Sequence, residues 1–329
     1  MVSTKVGGDQ PSSDDQFRKL RFGSGQFMFR AKKLIKEENH LEVVLQTCVN
    51  ALVASGFFAL TAVGLVLIFG VMGIINFAHG ELFMAGAYAV WFFYSKSGWP
   101  FYLAVMAAFV VVTLIGLLME RGLFRPMRDN PLGGLINSIG VLFILQVLAV
   151  KIGGLGLMKH VPPAFPGVIH IVGDVAISKQ RLAGLIISAG LLLLMWLFLT
   201  RTKMGWALRA TAQDREAAAL QGISINRISI LAMGLGAGAA GVAGALMAPL
   251  TRVQPYMGHS VIIAAFIVTI VGGLGSLSGA ILAAVLYAFF NTFVTTYYGG
   301  TIATILGLLI MLLVLIIKPT GLMGTETTE

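Results

Sequence analysis

Long apolar runs divide this 329-residue chain, and they constrain its fold more than any other feature. About eight apolar segments are separated by short polar stretches. Runs such as 45–71, 101–119 and 132–152 are close to or above the roughly 20 residues that a membrane-spanning helix needs. Only 11% of the residues are charged, whereas soluble domains carry about 25%. The sequence therefore predicts an all-α polytopic membrane protein.

Basic residues cluster in polar stretches at 18–36, 121–128 and 201–227, and the chain has a net charge of +9. Because cytoplasmic segments of membrane proteins collect lysine and arginine, these stretches are predicted to lie in the cytoplasm. Nucleic-acid binding would also suit a basic chain, but the apolar composition argues against it. We divide the chain into a cytoplasmic N-terminal extension (1–42), a transmembrane domain (43–319) and a C-terminal tail (320–329).

The N-terminal extension contains one stretch with helical character. In QFMFRAKKLIKEEN (26–39) the apolar residues fall on one helical face, and the basic residues are spread over the rest. This pattern predicts an amphipathic helix lying in the cytoplasmic interface of the lipid membrane. A solvated tail ahead of the first span is the alternative.

Two apolar runs, 82–94 and 261–271, are too short to cross a membrane, and each adjoins a polar or glycine-rich break. The first break is NFAHGE (76–81) and the second is GGLGSLSG (272–279). Three apolar runs lie between the basic stretches 18–36 and 121–128. If both stretches lie on one side of the membrane, the three runs cannot all be full crossings, because three crossings end on the opposite side. The short runs are therefore predicted to be broken or re-entrant half-helices. Paired breaks of this kind also predict two pseudo-repeated halves and mark a translocation path.

The two breaks supply the first set of candidate site residues. Glu81 is predicted to be ionised and to cap the following half-helix, with a role in the substrate path or in gating as the alternative. His79 is expected to be a hydrogen-bonded structural residue, and Asn76 either satisfies broken backbone or touches a polar solute. The glycines are expected to permit the chain to turn. The whole set is Asn76, His79, Gly80, Glu81, Gly272, Gly273, Gly275 and Ser276. No metal site is predicted, because no histidine, cysteine and carboxylate cluster has ligand spacing.

The polar stretch 201–227 supplies the second set. Its alanine, leucine, arginine, glutamine and glutamate content predicts a helix over 206–220, and Gly222 stands where that helix would stop. Such a helix between two spans is suited to docking a partner. The candidate residues are Arg209, Asp214, Glu216, Ala217, Ala218 and Gly222.

Four segments in order resemble the permeases of the branched-chain amino-acid ABC transporter family. They are GVMGIINFAHGELFMAGAY (70–88), GWALRATAQDREAAALQGI (205–223), VGGLGSLSGA (271–280) and KPTGLMG (318–324). Within the second, EAAALQG (216–222) resembles the EAA loop that ABC importer permeases seat in a groove of their ATPase. The resemblance covers about 45–324, and the long N-terminal extension departs from the family's pattern.

The resemblance implies one subunit of a larger importer in a bacterial or archaeal plasma membrane. The family works with a homologous second permease, two cytoplasmic ATPases and an extracytoplasmic solute-binding protein, within membrane lipid. ATP would be bound by the partners, because this chain lacks the phosphate-binding GxxxxGK[ST] motif, and we expect no cofactor and no enzymatic activity in the chain itself.

Several functions stay open at this point. The branched-chain amino-acid permeases have close counterparts that carry urea and short amides, so the solute does not follow from the resemblance. An ion-coupled secondary transporter would use Glu81 and His79 as its coupling pair, but it would have no ATPase to dock at EAAALQG. An intramembrane enzyme would need a nucleophile beside these two residues, and the sequence offers none there.

Overall fold

The computed structural model of the chain describes residues 13–128, 130–154 and 158–324, and it describes side chains from residue 41 onward. Within these residues the fold is almost entirely helical, as predicted. The α-helices are α1 (Ser13–Met72), α2 (His79–Val90), α3 (Phe101–Met119), α4 (Pro131–Gly153), α5 (Lys179–Arg201), α6 (Lys203–Gln213), α7 (Arg215–Leu220), α8 (Ile225–Met247), α9 (Gly258–Gly272), α10 (Leu277–Tyr298) and α11 (Gly300–Ile317).

Two helices continue in other helical forms. α2 runs directly into a π-helix (Trp91–Lys96), and α3 runs into a π-helix (Glu120–Phe124) followed by a 3-10 turn (Arg125–Met127). With these extensions counted, seven helical segments among the described residues are long and apolar enough to cross a membrane. α9 is apolar but has only 15 residues, about 22 Å at 1.5 Å per residue.

The centre of the bundle is formed by α1, α2 and α8, which pack backbone against backbone. Gly86 of α2 lies directly against the Gly241 carbonyl of α8, and Gly244 of α8 lies against the Phe83 carbonyl of α2. A Cβ added at Gly64 of α1 would lie 2.6 Å from the Gly236 carbonyl oxygen. Small residues therefore allow a close approach that any side chain would prevent.

A small β-hairpin lies in the segment between α4 and α5, which the sequence predicts only as an external loop. Strand β1 (Val168–Val172) pairs antiparallel with β2 (Val175–Ser178). We call the end of the bundle that carries this hairpin the hairpin end, and the end that carries α6 and α7 the α6–α7 end.

α1 connects the two ends. Near the start of the membrane span within α1 (Leu41–Met72), the Gln46 side chain accepts a hydrogen bond from the Ala176 amide of β2 at 2.9 Å. Near its finish, a Cβ added at Gly70 would lie 3.4 Å from the Ala212 side chain of α6. Residues 46 and 70 are therefore at opposite ends of the bundle.

This arrangement contradicts the prediction that the basic stretches at 18–36 and 201–227 lie on the same side. The prediction placed the N-terminal extension by its basic residues, whereas the packing of α1 in the bundle determines the side on which the extension lies. The helix predicted at 26–39 falls inside α1, which runs without interruption from Ser13. Its side chains lie outside those described, so the amphipathic interfacial helix stays a prediction.

The chain after α11 is not a free tail up to residue 324. The Leu322 amide donates to the Val271 carbonyl at 2.8 Å, and the Met323 amide donates to the Gly272 carbonyl at 3.1 Å. The last described residues therefore hold the turn between α9 and α10. The first residues of the predicted C-terminal tail (320–329) therefore contact the transmembrane domain.

Candidate functional site

The first predicted break begins a helix inside the bundle. Non-helical backbone occupies 73–78, three residues earlier than the predicted 76–81, and α2 starts at His79. Nε2 of His79 lies 2.9 Å from the Thr61 carbonyl oxygen of α1. Thr61 precedes the end of α1 by about 16 Å at 1.5 Å per residue, so the chain turns back into the bundle before α2 begins.

Two backbone amides of this break are satisfied by a local contact and by α4, while Asn76 Nδ2 has no hydrogen-bond partner among the described residues. Asn76 Oδ1 accepts a hydrogen bond from the Ala78 amide at 3.0 Å, and the Phe77 amide donates to Ser138 Oγ of α4 at 3.1 Å. Asn76 and Ser138 are fully buried. Because an unpaired backbone group costs several kcal/mol in a membrane interior, these contacts make the break tolerable.

Glu81 lies in the first turn of α2 and is 1% exposed. One carboxylate oxygen, Oε1, accepts a hydrogen bond from Gln146 Nε2 of α4 at 2.9 Å. The other, Oε2, has no hydrogen-bond partner among the described residues. Residue 78, not Glu81, occupies the N-cap position, and no side chain caps α2, so the predicted capping role is wrong.

The carboxylate of Glu81 instead lies over the start of α9. A Cβ added at Gly258, the first residue of α9, would lie 2.7 Å from both carboxylate oxygens. α2 and α9 therefore begin side by side within the bundle, with Glu81 between their amino ends. Since helix amino ends carry partial positive charge, both helices favour a carboxylate at this point.

His79 and Gly80 complete this centre. His79 is fully buried, and its Nδ1 has no partner among the described residues, while its other ring nitrogen bonds to α1. Gly80 is helical and packs against the Gly258 carbonyl, so its predicted use as a turn is wrong: its value is the close approach of α9. Over the described residues, no group of histidine, cysteine and acidic side chains could hold a metal ion.

The second predicted break is a turn at the α6–α7 end rather than part of the same centre. Gly273 and Gly275 have φ of +106° and +84°, a left-handed region that glycine adopts without strain. Ser276 caps α10 by accepting a hydrogen bond from the Gly279 amide at 3.2 Å, and Gly272 packs closely on Gly279. These residues shape the turn, and the structure does not bring them to Glu81.

The α6–α7 segment is two short helices rather than the single helix predicted over 206–220. Asp214 has extended backbone and separates them, and its side chain caps α7 by accepting a hydrogen bond from the Ala217 amide at 2.9 Å. An aspartate that satisfies a free amide in this way starts a new helix in preference to continuing the old one. Gly222, with φ of +81°, ends the segment as predicted.

The outer surface of this segment combines charged and apolar side chains. Arg209, Glu216 and Ala217 are exposed, but Ala218 is buried within the chain, so it is not available for the close docking expected of it. Three apolar members of this surface, Met204, Trp206 and Leu220, were not among the predicted residues. Leu220 is 87% exposed and Trp206 is 62% exposed, which an amphipathic pattern on α6 and α7 could have indicated.

Gln146 and Ser138 are the members of the Glu81 centre that sequence analysis missed. Both are uncharged polar residues in the mostly apolar run that became α4, and both are buried against α2 or the break before it. Isolated polar residues in a membrane span usually face the protein interior. That rule was the available signal for both.

The fold and these two centres define a class: a helical, multi-pass membrane protein with an interrupted helix in its centre and an exposed pair of short helices at one end. The family model described as "Branched-chain amino acid transport system / permease component" matches residues 47–318. The chain belongs to this family of membrane-embedded permease components, whose members are not themselves enzymes.

Three relatives show how much of the chain is shared. The branched-chain amino acid permease protein BraD of Pseudomonas aeruginosa is 32% identical over 300 residues, covering 87% of this chain and 97% of the relative. LivH of Escherichia coli K12 is 29% identical over 301 residues, with the same coverage of both chains. The probable permease LivH of Methanocaldococcus jannaschii is 26% identical, covering 89% of this chain and 96% of the relative.

A solved structure supports the fold. A chain of PsaBC from Streptococcus pneumoniae, in complex with Fab, matches with a TM-score of 0.50 and 16% identity. The match covers 82% of this chain and 91% of that chain.

Proposed function

We propose that this chain is a permease subunit of an ABC importer for branched-chain amino acids, driven by ATPase subunits that dock on α6 and α7. The observation that carries the ATPase role is the exposed surface of the α6–α7 segment. Leu220, Trp206 and Met204 are apolar and solvent-accessible beside charged Arg209 and Glu216. An apolar patch with charged neighbours at a bundle end is suited to a protein partner.

The solute class comes from the relatives, which are named as branched-chain amino acid permeases in two bacteria and one archaeon. Permeases for urea and short amides remain the second candidate because their sequences are similar. The path would also need a second permease, a homologue or another copy of this chain, and a solute-binding protein outside the membrane. We place the assembly in a bacterial or archaeal plasma membrane.

The proposed position of the ATPase determines the orientation of the chain in the membrane. Docking on α6 and α7 requires the α6–α7 end to be cytoplasmic. The hairpin end, and with it the start of the α1 span beside β2, is then extracytoplasmic. The N-terminal extension is accordingly proposed to leave the bundle on the outer side.

For the Glu81 centre we propose a structural role with a consequence for transport. Glu81 joins α2, α4 and α9 at one point, through Gln146 and Gly258. Such a junction keeps the interrupted helices in register beside the path. An ion-coupled transporter with Glu81 and His79 as its coupling pair has less support, because Glu81 is tied to Gln146 and His79 to the Thr61 carbonyl.

The decisive experiment purifies the complex from its native membrane, reconstitutes it in vesicles and measures uptake. We expect the vesicles to take up leucine, isoleucine and valine. Uptake should require ATP on the side of the membrane where the ATPase subunits are bound, and it should be unaffected by collapse of ion gradients. Urea and acetamide serve as the competing solutes. Uptake that follows an ion gradient without ATP would reject the importer proposal, and uptake of the amides alone would reassign the solute.

A double variant tests the docking segment itself. Gly222→Pro is incompatible with φ of +81°, because proline fixes φ near −65°, and Glu216→Arg reverses an exposed charge on α7. We expect at least about tenfold loss of uptake with the membrane domain still folded, since losing about 1.4 kcal/mol of docking free energy weakens binding tenfold. Full uptake by this variant would refute the docking role.

A further inference from the structure

Arg128 joins three elements at the α6–α7 end. It follows the 3-10 turn that extends α3, and its guanidinium donates two hydrogen bonds in different directions. Nη1 donates to Asn226 Oδ1 of α8 at 2.5 Å, and Nη2 donates to Glu120 Oε1 at 3.1 Å. Glu120 begins the π-helix at the end of α3. One side chain therefore ties the last turns of α3 to the first turn of α8.

The two hydrogen bonds differ in environment. Glu120 is fully buried and forms an ion pair with Arg128, so this bond fixes Arg128 to its own end of α3. Arg121 and Arg125 are also close enough to act on the charge of Glu120, although neither forms an ion pair with it among the described contacts. The bond to Asn226 is solvent-exposed. Exposed polar contacts contribute little to stability, so this one can be removed without unfolding the bundle.

Asn226 is close to the docking segment in both sequence and space. Only 221–224 separates α7 from α8, and the Ile223 amide donates to the Ala218 carbonyl of α7 at 3.1 Å. Leu208 of α6 and Ile228 of α8 belong to one buried apolar cluster. A displacement of α6 and α7 therefore moves the start of α8 directly.

We propose that Arg128 is a positioning residue that transmits movement of the docking segment to α3 as well as α8. This inference rests on the proposed ATPase coupling. α3 and α8 already pack on each other further along, where Gly234 of α8 lies against Leu117, and the bond to Asn226 extends this contact to the first turn of α8, next to α7. With this bond, the two helices move together. Arginine suits the task because its planar fork presents several donors to acceptors in different directions, whereas the single ammonium of lysine is a compact point charge.

The test compares three variants in the full reconstituted complex, with leucine taken up per ATP hydrolysed as the readout. Asn226→Ala removes the acceptor, and Asn226→Asp keeps it. Arg121→Ala is the control for local truncation, because it shortens an exposed polar side chain at the same end of α3 that has no ion pair in the described contacts. We expect Asn226→Ala to lower the ratio about two- to fivefold, the range that one exposed polar contact can contribute, while the other two keep the wild-type ratio.

A double-mutant cycle separates this bond from general damage. If Arg128→Lys and Asn226→Ala act through the same contact, the double variant couples no worse than the more impaired single variant. An unchanged ratio in Asn226→Ala, additive losses in the cycle, or an equal loss in Arg121→Ala would overturn the role of Arg128. These outcomes leave the importer proposal intact, because the wild-type complex still couples ATP to uptake. If the wild-type complex does not couple them, both proposals fail.

Discussion

At the scale of single residues, Glu81 shows what a buried carboxylate can do in a membrane protein. Its side chain touches three helices: it begins in α2, accepts from Gln146 of α4 and lies over Gly258 of α9. The sequence predicts only the position of Glu81 in α2, because the break lies next to Glu81 in the chain. The other two come from segments 65 and 177 residues further along the chain. Glu81 was predicted to cap α2 because its distant partners, Gln146 and Gly258, cannot be recognised from the sequence.

The Glu81–Gln146 contact gives a prediction about stability. Gln146→Leu leaves a buried carboxylate oxygen without its donor, so we expect the free energy of unfolding to fall by about 1–3 kcal/mol. Glu81→Gln keeps an acceptor for Gln146 and should retain both stability and most transport. Thermal unfolding and uptake of the reconstituted complex measure the two effects.

The double variant Glu81→Leu with Gln146→Leu is the control, since it removes both polar partners and should be less destabilising than the two single losses combined. Additive losses would show that the two side chains do not stabilise each other. If Glu81→Gln abolishes transport while the complex melts as the wild type does, the charge of Glu81 is itself functional and our structural assignment is wrong.

At the scale of elements, local chemistry was a good guide where it acts within a few residues. The helical composition of 206–220 and the stop at Gly222 are both present, and the interruption at Asp214 follows from capping, a rule that was not applied there. The short apolar run predicted at 82–94 is also present, as α2 and its π-helical extension over 79–96. Close approach of two helices, as at Gly80 and Gly258, cannot be read from one segment alone.

Gly222 provides the prediction at this scale. A Cβ at Gly222 would meet open space, so Gly222→Ala changes the backbone preference and not the packing. A left-handed residue other than glycine costs roughly 1–2 kcal/mol, and we expect the α7 end to fray. Hydrogen exchange over 215–224 should increase, and solute-stimulated ATP hydrolysis should fall.

Gly122→Ala is the matched control for Gly222→Ala. It also adds a Cβ in open space, but its backbone is helical rather than left-handed. Equal exchange in both variants would show that the left-handed turn is not what holds α7.

At the scale of the whole molecule, the sequence established the class of fold but not its sidedness. Apolar runs identify the spans reliably because the membrane interior allows few alternatives to a helix. Sidedness was inferred from basic residues, and one such stretch precedes the first span. The contacts of Gln46 and Gly70 place the two ends of the α1 span at opposite ends of the bundle, which no count of charges can show. The two pseudo-repeated halves stay a prediction.

Cysteine labelling in intact cells tests this topology. In a Cys48→Ala background, a cysteine at His170 of β1 or at Ser24 should react with an impermeant external reagent. A cysteine at Gln213, the last residue of α6, should react only after the membrane is permeabilised. His170 and Gln213 are both exposed, so access and not burial decides the result. Labelling at Gln213 but not at His170 from outside would reverse the orientation.

The glycine-to-carbonyl contacts among α1, α2 and α8 have a mechanical consequence. Side chains between helices act as compliant spacers, because their rotamers can adjust when one helix slides along another. At Gly86 and Gly244 no such spacer exists, and the backbones themselves interlock. We therefore expect the three helices to move as one rigid body. The deformation that opens a path must then be taken up by the outer helices, such as α5 and α11, of whose spans only 17% and 11% are buried.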